Sequence, residues 1–574
     1  MRILLLARSF NSLTQRLWVE LARRGHELSL EYDIADSVTE EAVDLFAPDL
    51  IIAPFMKRAI PEAVWRRVTC LVVHPGIAGD RGPSALDWAI ENGEREWGVT
   101  VLQAVAEMDA GDIWATATFP MREARKASLY RNEVTEAATR AVLEAVERCA
   151  AGGWRPRPLD YADPEVRGRA RPLMRQDDRR IDWSRDSTAA VLRKMCAADT
   201  TPGVLDGLFG TACYLYDAHA EDRLRGARPG EVFARRDGAV LRATVDGAVW
   251  IGHARRTEPE ALKLPVALAF PADVSPLPEA PLTWDAPDDH ATFREIRYEE
   301  EGAVGYLHFP FYNGAMSTAQ CGRLLATYRA ALARPTRVLV LMGGPDYWSN
   351  GIHLNVIEAA ASPADESWRN INAIDDLAQA VIETTDRMTV AALQGSAGAG
   401  GAFLALAADR VWARDGVLLN PHYKNMGNLY GSEYWSYLLP RRTGPDAART
   451  VMSHRLPVSA QEARAQGLVD EVLAADPLAF VREVRARAQA LAGAEDHGAR
   501  VAAKRESRTR DEAARPLAAY RDEELAQMRR NFYGFDPSYH VARFHFVQKT
   551  PPSWTPRHLA RHRDIAPRRL PAAA

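Results

Sequence analysis

Cysteine is scarce in this 574-residue chain. The five present (Cys70, Cys149, Cys196, Cys213 and Cys321) are odd in number, far apart and never spaced C-x-x-C. That excludes a disulfide framework and a zinc ribbon, gives no reason to expect a metal, and fits a reducing cytoplasm. Long apolar runs are missing too: the longest, such as residues 338–342, are strand-sized, far short of the roughly 18 residues that span a bilayer. No membrane span is expected, and the apolar start at residues 3–7 is too short for a signal and closes at Arg8. Neither charge dominates, with 72 Lys and Arg against 76 Asp and Glu for a net −4, which excludes a chain-wide nucleic-acid footprint. Glycine is absent from the first loop, Arg8-Ser9-Phe10-Asn11-Ser12. It therefore cannot approach a pyrophosphate as a dinucleotide fingerprint does, and NAD or FAD is excluded there.

What is present is ample apolar material, 47% of residues, enough for two to four cores at about 150 residues per domain. Short apolar runs at 3–7, 28–32, 50–53, 70–74 and 100–105 alternate with amphipathic stretches, the rhythm of βαβ units and a mostly parallel sheet. A helical segment over 132–151 ends at Gly152-Gly153, closing a first α/β domain over 1–160. A small β-rich domain is expected over 175–270, then a linker over 271–292, where five prolines between Pro271 and Pro287 exclude a helix. A second α/β domain fills 293–548, and a basic, proline-rich tail over 549–574 is expected to be poorly ordered or draped over a neighbour.

His74, ahead of Pro75-Gly76, and Asp109, in Met108-Asp109-Ala110-Gly111, would both lie at carboxyl ends of parallel strands, where open α/β sheets place ligands. Taken alone, such a histidine is more often structural. The run His74-Pro75-Gly76-Ile77-Ala78-Gly79-Asp80-Arg81-Gly82, with Leu86-Asp87-Trp88-Ala89-Ile90, Trp97-Gly98-Val99-Thr100-Val101, Ile181-Asp182-Trp183-Ser184 and Thr201-Pro202-Gly203, resembles formyltransferases that use formyl-tetrahydrofolate. The likeness covers roughly residues 1–255 and implies a Rossmann-like domain followed by a small OB-like β-barrel. It also implies that His74 and Asp109 polarise the formyl carbonyl and relay protons. The chemistry is sound, because attack on the formyl carbon creates an oxyanion that an imidazole, itself held by a carboxylate, can stabilise. The family's asparagine two residues before the histidine is Val72 here, so one oxyanion donor is missing.

Residues 296–475 resemble the enoyl-CoA hydratase/isomerase (crotonase) family. The matching pieces are Trp348-Ser349-Asn350-Gly351-Ile352-His353-Leu354, Gln394-Gly395-Ser396-Ala397-Gly398-Ala399-Gly400-Gly401-Ala402 and Leu439-Pro440-Arg441-Arg442-Thr443-Gly444. The resemblance implies that the N–H groups of Ile352 and Gly400 grip a thioester oxygen. The hydratase glutamates fall at Phe403 and His422, so hydration of an enoyl thioester is not expected. Tyr423 and Glu433 offer a replacement acid and base; alternatively, Tyr423 only packs and Glu433 pairs with Arg441 or Arg442.

The two halves together resemble the HypX (HoxX) family of hydrogenase maturation factors, across essentially the whole chain. That resemblance implies a cytoplasmic enzyme that makes carbon monoxide for the nickel–iron hydrogenase active site, with the hydrogenase maturation machinery as a partner. The formyl group would pass from N10-formyl-tetrahydrofolate to coenzyme A at the first site, and formyl-CoA would be decarbonylated at the second, with Glu433 as base and Tyr423 as acid or positioner. Arg8, Ser9, Gln15, Arg131, Thr200 and Arg543 are the expected coenzyme A contacts, and Trp88 and Ile90 the expected pterin contacts. Two other functions compete: a formyl-tetrahydrofolate hydrolase fused to an acyl-CoA isomerase, and a non-catalytic acyl-CoA-binding scaffold.

Overall fold

The computed structural model describes residues 1–564 and divides into two compact units. The first comprises Met1–Gly207, Tyr214–Ala218 and the described residues from Pro551 onward; the second comprises Leu208–Cys213 and His219–Thr550.

The first unit is built on a six-stranded sheet in the order Glu27–Tyr32, Arg2–Ala7, Leu50–Phe55, Cys70–His74, Glu96–Gln103, Ile113–Pro120. The first four strands are parallel, and all but the edge strand Glu27–Tyr32 are almost unbroken apolar runs because both faces are covered. Strand Glu96–Gln103 departs from the expectation: it pairs antiparallel with Cys70–His74, His74 opposite Thr100. Asp109 therefore comes from a hairpin loop and not from the end of a parallel strand. Asn11 caps helix Ser12–Arg23 by accepting the Thr14 N–H. The helix expected over 132–151 is α-helical over Thr135–Ala151 and opens on a π-helical turn, Tyr130–Val134.

The expected small β-domain is a sheet in the order Val204–Leu208, Thr211–Glu221, Ala248–Arg256, Ala239–Ala243, Val232–Arg236, with Leu264–Pro265 beside Ala248–Arg256. The free linker over 271–292 is a correction. Pro271–Val274 forms one helical turn, because proline is tolerated at a first helical position. Arg235 then donates to Pro278 O and accepts from Ala280 N, and Phe293 packs on Trp250 with ring centroids 6.1 Å apart. The segment is part of the small domain's wall.

The second unit carries another six-stranded sheet, Arg297–Glu301, Val304–His308, Val338–Gly343, Met388–Leu393, Arg410–Arg414, Glu471–Leu473, parallel apart from its first pair. A smaller sheet of Tyr347–Ser349, Ser396–Gly398, Leu418–Asn420 and Val458–Ser459 packs beside helix Gly400–Leu406. Every residue of that helix is buried, so its outward side chains are only Gly, Ala, Leu and Phe.

Of the two expectations for the tail, the described residues take the second, lying over a neighbouring element. Leu559 O accepts the Leu30 N–H, and Thr555 Oγ1 accepts that of Tyr32, covering the free edge of strand Glu27–Tyr32. Buried Glu31 receives His562 at 3.0 Å and Arg563 at 2.6 Å. An edge strand with unpaired N–H groups and a buried carboxylate needs such a cover. The remainder of the tail, 565–574, lies outside the described residues.

Candidate functional site

His74 ends its strand with 5% of its surface exposed. Its Nδ1 lies 3.6 Å from Asp109 Oδ2, so the structure brings together the two residues singled out in the sequence. Asp109 has φ 55°, a left-handed conformation that a short polar side chain tolerates and that aims its carboxylate back at the histidine. A third group was missed. Asp80, fully buried, takes His74 Nε2 at 3.0 Å and is itself held by Arg171 Nε at 2.8 Å. The imidazole is thus fixed from both nitrogens, and the Arg171 guanidinium, stacked 5.3 Å from the Trp97 ring centroid, balances one carboxylate. Gly76 is obligatory here, since a Cβ would fall 2.4 Å from His74 Nε2 and 2.8 Å from Asp80 Oδ1. Nothing in the sequence marked Asp80, because the pairing with Arg171 spans 91 residues.

Arg8 and Ser9 leave the carboxyl end of strand Arg2–Ala7, and Gln15 stands in the first turn of the next helix with Nε2 on Phe10 O at 2.8 Å. Asn11 Nδ2 reaches the Tyr130 hydroxyl at 3.4 Å, which draws the π-turn carrying Arg131 to the same loop. Two arginines, a helix start without acidic residues and exposed Ser9 form a setting suited to phosphate. Thr200 is exposed, with φ 79°. Arg543 belongs to the second unit, buried on helix Ser538–Gln548 with Nε on Glu358 at 2.6 Å. Trp88 and Ile90, two apart on helix Ala85–Glu91, point about 200° apart. Trp88 Nε1 donates to Pro172 O at 2.8 Å while Ile90 is in the core, so the pair does not line one pocket.

In the second unit, Gly351-Ile352 and Gly400 meet as the crotonase pattern requires: a Cβ on Gly351 would sit 3.2 Å from Gly400 N. Neither the Ile352 nor the Gly400 N–H donates to a protein acceptor among the described residues, leaving two donors for a ligand oxygen. Against Gly400 lies the Glu433 carboxyl, so close that a Cβ on the glycine would fall 2.0 Å from Oε1. The Tyr423 hydroxyl donates to Glu433 Oε2 at 2.5 Å, and the Tyr423 ring stacks on Phe403 with centroids 5.4 Å apart at 15°. Arg441 pairs with Asp511 and Arg442 with Asp470, so the alternative of an arginine partner for Glu433 is overturned. Burial, reinforced by nearby Asp375, pushes the Glu433 carboxyl well above the carboxylate range. Burial and the adjacent Glu433 push the Tyr423 phenol well above its own. Glu433 and Tyr434 are consecutive left-handed residues, φ 58° and 59°, at a cost of roughly 1–2 kcal/mol each. Strain of this kind persists where the surroundings impose it.

Asp375 and Glu524 were also missed, although the periodicity marks both. Asp375 stands on the apolar stripe of Ile371, Ile374, Ala378 and Ile382, and Glu524 on that of Leu517 and Met528. Among the described residues no group of three or more His, Cys, Asp or Glu is arranged to hold a metal ion, and no helix is long and apolar enough to cross a membrane.

Residues 28–146 match the formyl transferase family, 173–268 its C-terminal domain, and 315–557 the enoyl-CoA hydratase/isomerase family. Over 236 residues, 40% of this chain and 70% of the relative, the first half is 29% identical to the methionyl-tRNA formyltransferase of Desulfotalea psychrophila. The hydrogenase maturation factor HoxX of Bradyrhizobium diazoefficiens is 59% identical over 563 residues, covering 98% of this chain and 97% of HoxX. The chain belongs to the HoxX/HypX family of hydrogenase maturation factors. The crystal structure of HypX from Aquifex aeolicus in complex with tetrahydrofolic acid matches with a TM-score of 0.95 and 49% identity over the whole of both chains. The HoxX/HypX fold is therefore the fold of this chain: formyltransferase domains followed by a crotonase domain.

Proposed function

We propose that this chain makes carbon monoxide for the nickel–iron hydrogenase active site from N10-formyl-tetrahydrofolate, in the cytoplasm and alongside the hydrogenase maturation machinery. Coenzyme A enters as cosubstrate. At the first site its thiol attacks the formyl carbon, the carbon–N10 bond breaks as the carbon–sulfur bond forms, and the thiol proton passes to N10 through His74. Asp109 and Asp80 hold the imidazole for that relay. The attacking thiolate, formed as its proton passes to His74, is a strong nucleophile, which is compatible with Val72 in place of the family's asparagine. Arg8, Ser9, Gln15 and Arg131 suit the phosphates, with Thr200 as a further contact.

At the second site the formyl thioester carbonyl is held by the Ile352 and Gly400 N–H groups. The C–H and C–S bonds break and an S–H bond forms; the C–H electron pair stays on carbon as carbon monoxide, and the C–S pair leaves with sulfur. Redox balance is unchanged and no water enters. Because Glu433 is neutral when buried, it gives its proton to the departing sulfur and then takes the formyl proton, ending as it began. Tyr423 orients it. Glu433 thus combines the base role expected from sequence with that of the acid. The observation that carries this function is the Glu433 carboxyl packed on Gly400, in a crotonase pocket whose hydratase glutamates are Phe403 and His422.

The test is haemoglobin trapping of carbon monoxide from protein supplied with N10-formyl-tetrahydrofolate, with and without coenzyme A. A carboxyhaemoglobin spectrum that requires coenzyme A, and disappears in His74→Ala and Glu433→Gln, is expected. Formate without carbon monoxide would replace it with the hydrolase function.

A further inference from the structure

Glu433 shares its pocket with two other sealed acids. Asp375, on helix Pro363–Glu383, accepts the Glu433 N–H at 2.8 Å and the Ser432 hydroxyl at 2.8 Å. Glu524, on helix Leu517–Tyr533, accepts the N–H groups of Tyr434 at 3.0 Å and Ser436 at 2.8 Å, and the Ser436 hydroxyl at 2.5 Å. Ser432 Oγ also lies 3.3 Å from Glu524 Oε2. Both acids are fully buried, Glu524 on a helix face otherwise made of Leu517, Met528 and Phe532, and Asp375 beside Ile371, Ile374 and Ala378. An apolar side chain would fill either place without the cost of burying a carboxyl, so packing does not account for them.

We propose that Asp375 and Glu524 are positioning residues for Glu433: they fasten the left-handed pair Glu433–Tyr434 so that the Glu433 carboxyl stays against Gly400, and Asp375 sets the charge beside it. This rests on Glu433 being the proton-transferring group of the second site. The backbone N–H groups of 433, 434 and 436, two of them on the left-handed residues themselves, all end on these two acids.

The division of labour follows from the surroundings. Burial pushes Asp375 up to about 6 and Glu524 up to about 8. Near neutrality Asp375 therefore carries charge, with the Arg521 guanidinium 4.0 Å away, while Glu524 carries a proton. Negative Asp375 adds to burial in keeping Glu433 neutral. The other titratable groups facing this cluster are Tyr423, Cys321, Tyr434 and Asp376.

The experiment is carbon monoxide release from formyl-CoA by the full chain across pH, comparing Asp375→Asn, Glu524→Gln, Glu524→Ala and Glu433→Gln. Asparagine keeps an acceptor for the Glu433 N–H but removes the charge, so Glu433 ionises earlier as pH rises. The alkaline fall in kcat should move down by about one pH unit, giving about tenfold less carbon monoxide there, with KM unchanged. Glu524→Gln should keep activity near neutrality, whereas Glu524→Ala, which strips the turn of its acceptors, should lose at least about tenfold. An unmoved pH profile in Asp375→Asn, with Glu433→Gln inactive, overturns the inference and leaves the proposed function standing. Full activity in Glu433→Gln overturns both. Should a variant not fold, infrared spectra of the unmodified chain decide: a neutral carboxyl band at about pH 7, absent in Glu433→Gln, is expected, and an ionised Glu433 at that pH refutes the inference.

Discussion

Gly400→Ala probes the second site by geometry alone. The new Cβ would lie 2.0 Å from Glu433 Oε1, where real contacts do not fall below 3.0 Å, so one of the two must move by at least 1 Å. The glycine has little freedom: it opens a fully buried helix, and Gly351 closes on its nitrogen. The carboxyl must yield, breaking its 2.5 Å hydrogen bond from Tyr423 and leaving its aim at the oxygen-binding N–H groups. A misplacement of about 1 Å costs on the order of 100-fold in rate, or about 2.7 kcal/mol of transition-state stabilisation. Carbon monoxide release from formyl-CoA should therefore fall about 100-fold, while formyl transfer from N10-formyl-tetrahydrofolate to coenzyme A continues at the first site. A thermal melt within a few degrees of the unmodified chain would show that the loss is local. Undiminished carbon monoxide release would refute the placement of the reaction between Gly400 and Glu433.

Asp80→Asn should lower formyl transfer by at least about 100-fold and leave release from pre-made formyl-CoA unaffected, because it removes the negative charge that holds His74 Nε2 and leaves buried Arg171 without its carboxylate; equal loss at both steps would point to misfolding instead. Burial pushes the Glu31 carboxyl up, but hydrogen bonds from His562, Thr555 and Arg563 outweigh it and hold the group below its ordinary value. A depressed carboxylate stabilises above its unfolded pKa and loses that stability as pH falls through the folded one. Proteolysis of the tail should accordingly accelerate below about pH 4, and Glu31→Gln should release the tail at neutral pH by weakening the contact by about 1–3 kcal/mol; a tail equally protected in Glu31→Gln and the unmodified chain would show that other contacts fasten it.

In the proposed reaction the loss of the hydratase glutamates frees a crotonase pocket for a different chemistry. Phe403 fills one of their places and stacks on Tyr423, whose hydroxyl donates to Glu433. The other is taken by His422, buried beside the same loop. In that proposal the crotonase backbone donors at Ile352 and Gly400 are kept, and the proton-transferring side chain comes from the turn at 431–434.

Local patterns in the sequence determined a good deal. Unbroken apolar runs became parallel strands, Gly152 ended the helix of Thr135–Ala151, and the glycine-rich turn at 398–401 marked the close approach of Gly400, because these depend on neighbours within a few residues. The direction of strand Glu96–Gln103 was not legible, since a central strand buried on both faces is apolar whichever way it runs. Five prolines concealed the helical turn at 271–274 and the pairing with Arg235, which are set by the domain they cover. Charge placement was the hardest to read. His74 and Asp109 were visible, whereas Asp80 with Arg171, and Asp375 with Glu524 around Glu433, acquire their roles only when elements 58 to 91 residues apart close over them and exclude water. A sequence records which residues can ionise; the tertiary structure decides which are buried together, and burial is what turns ordinary acids into a catalytic site.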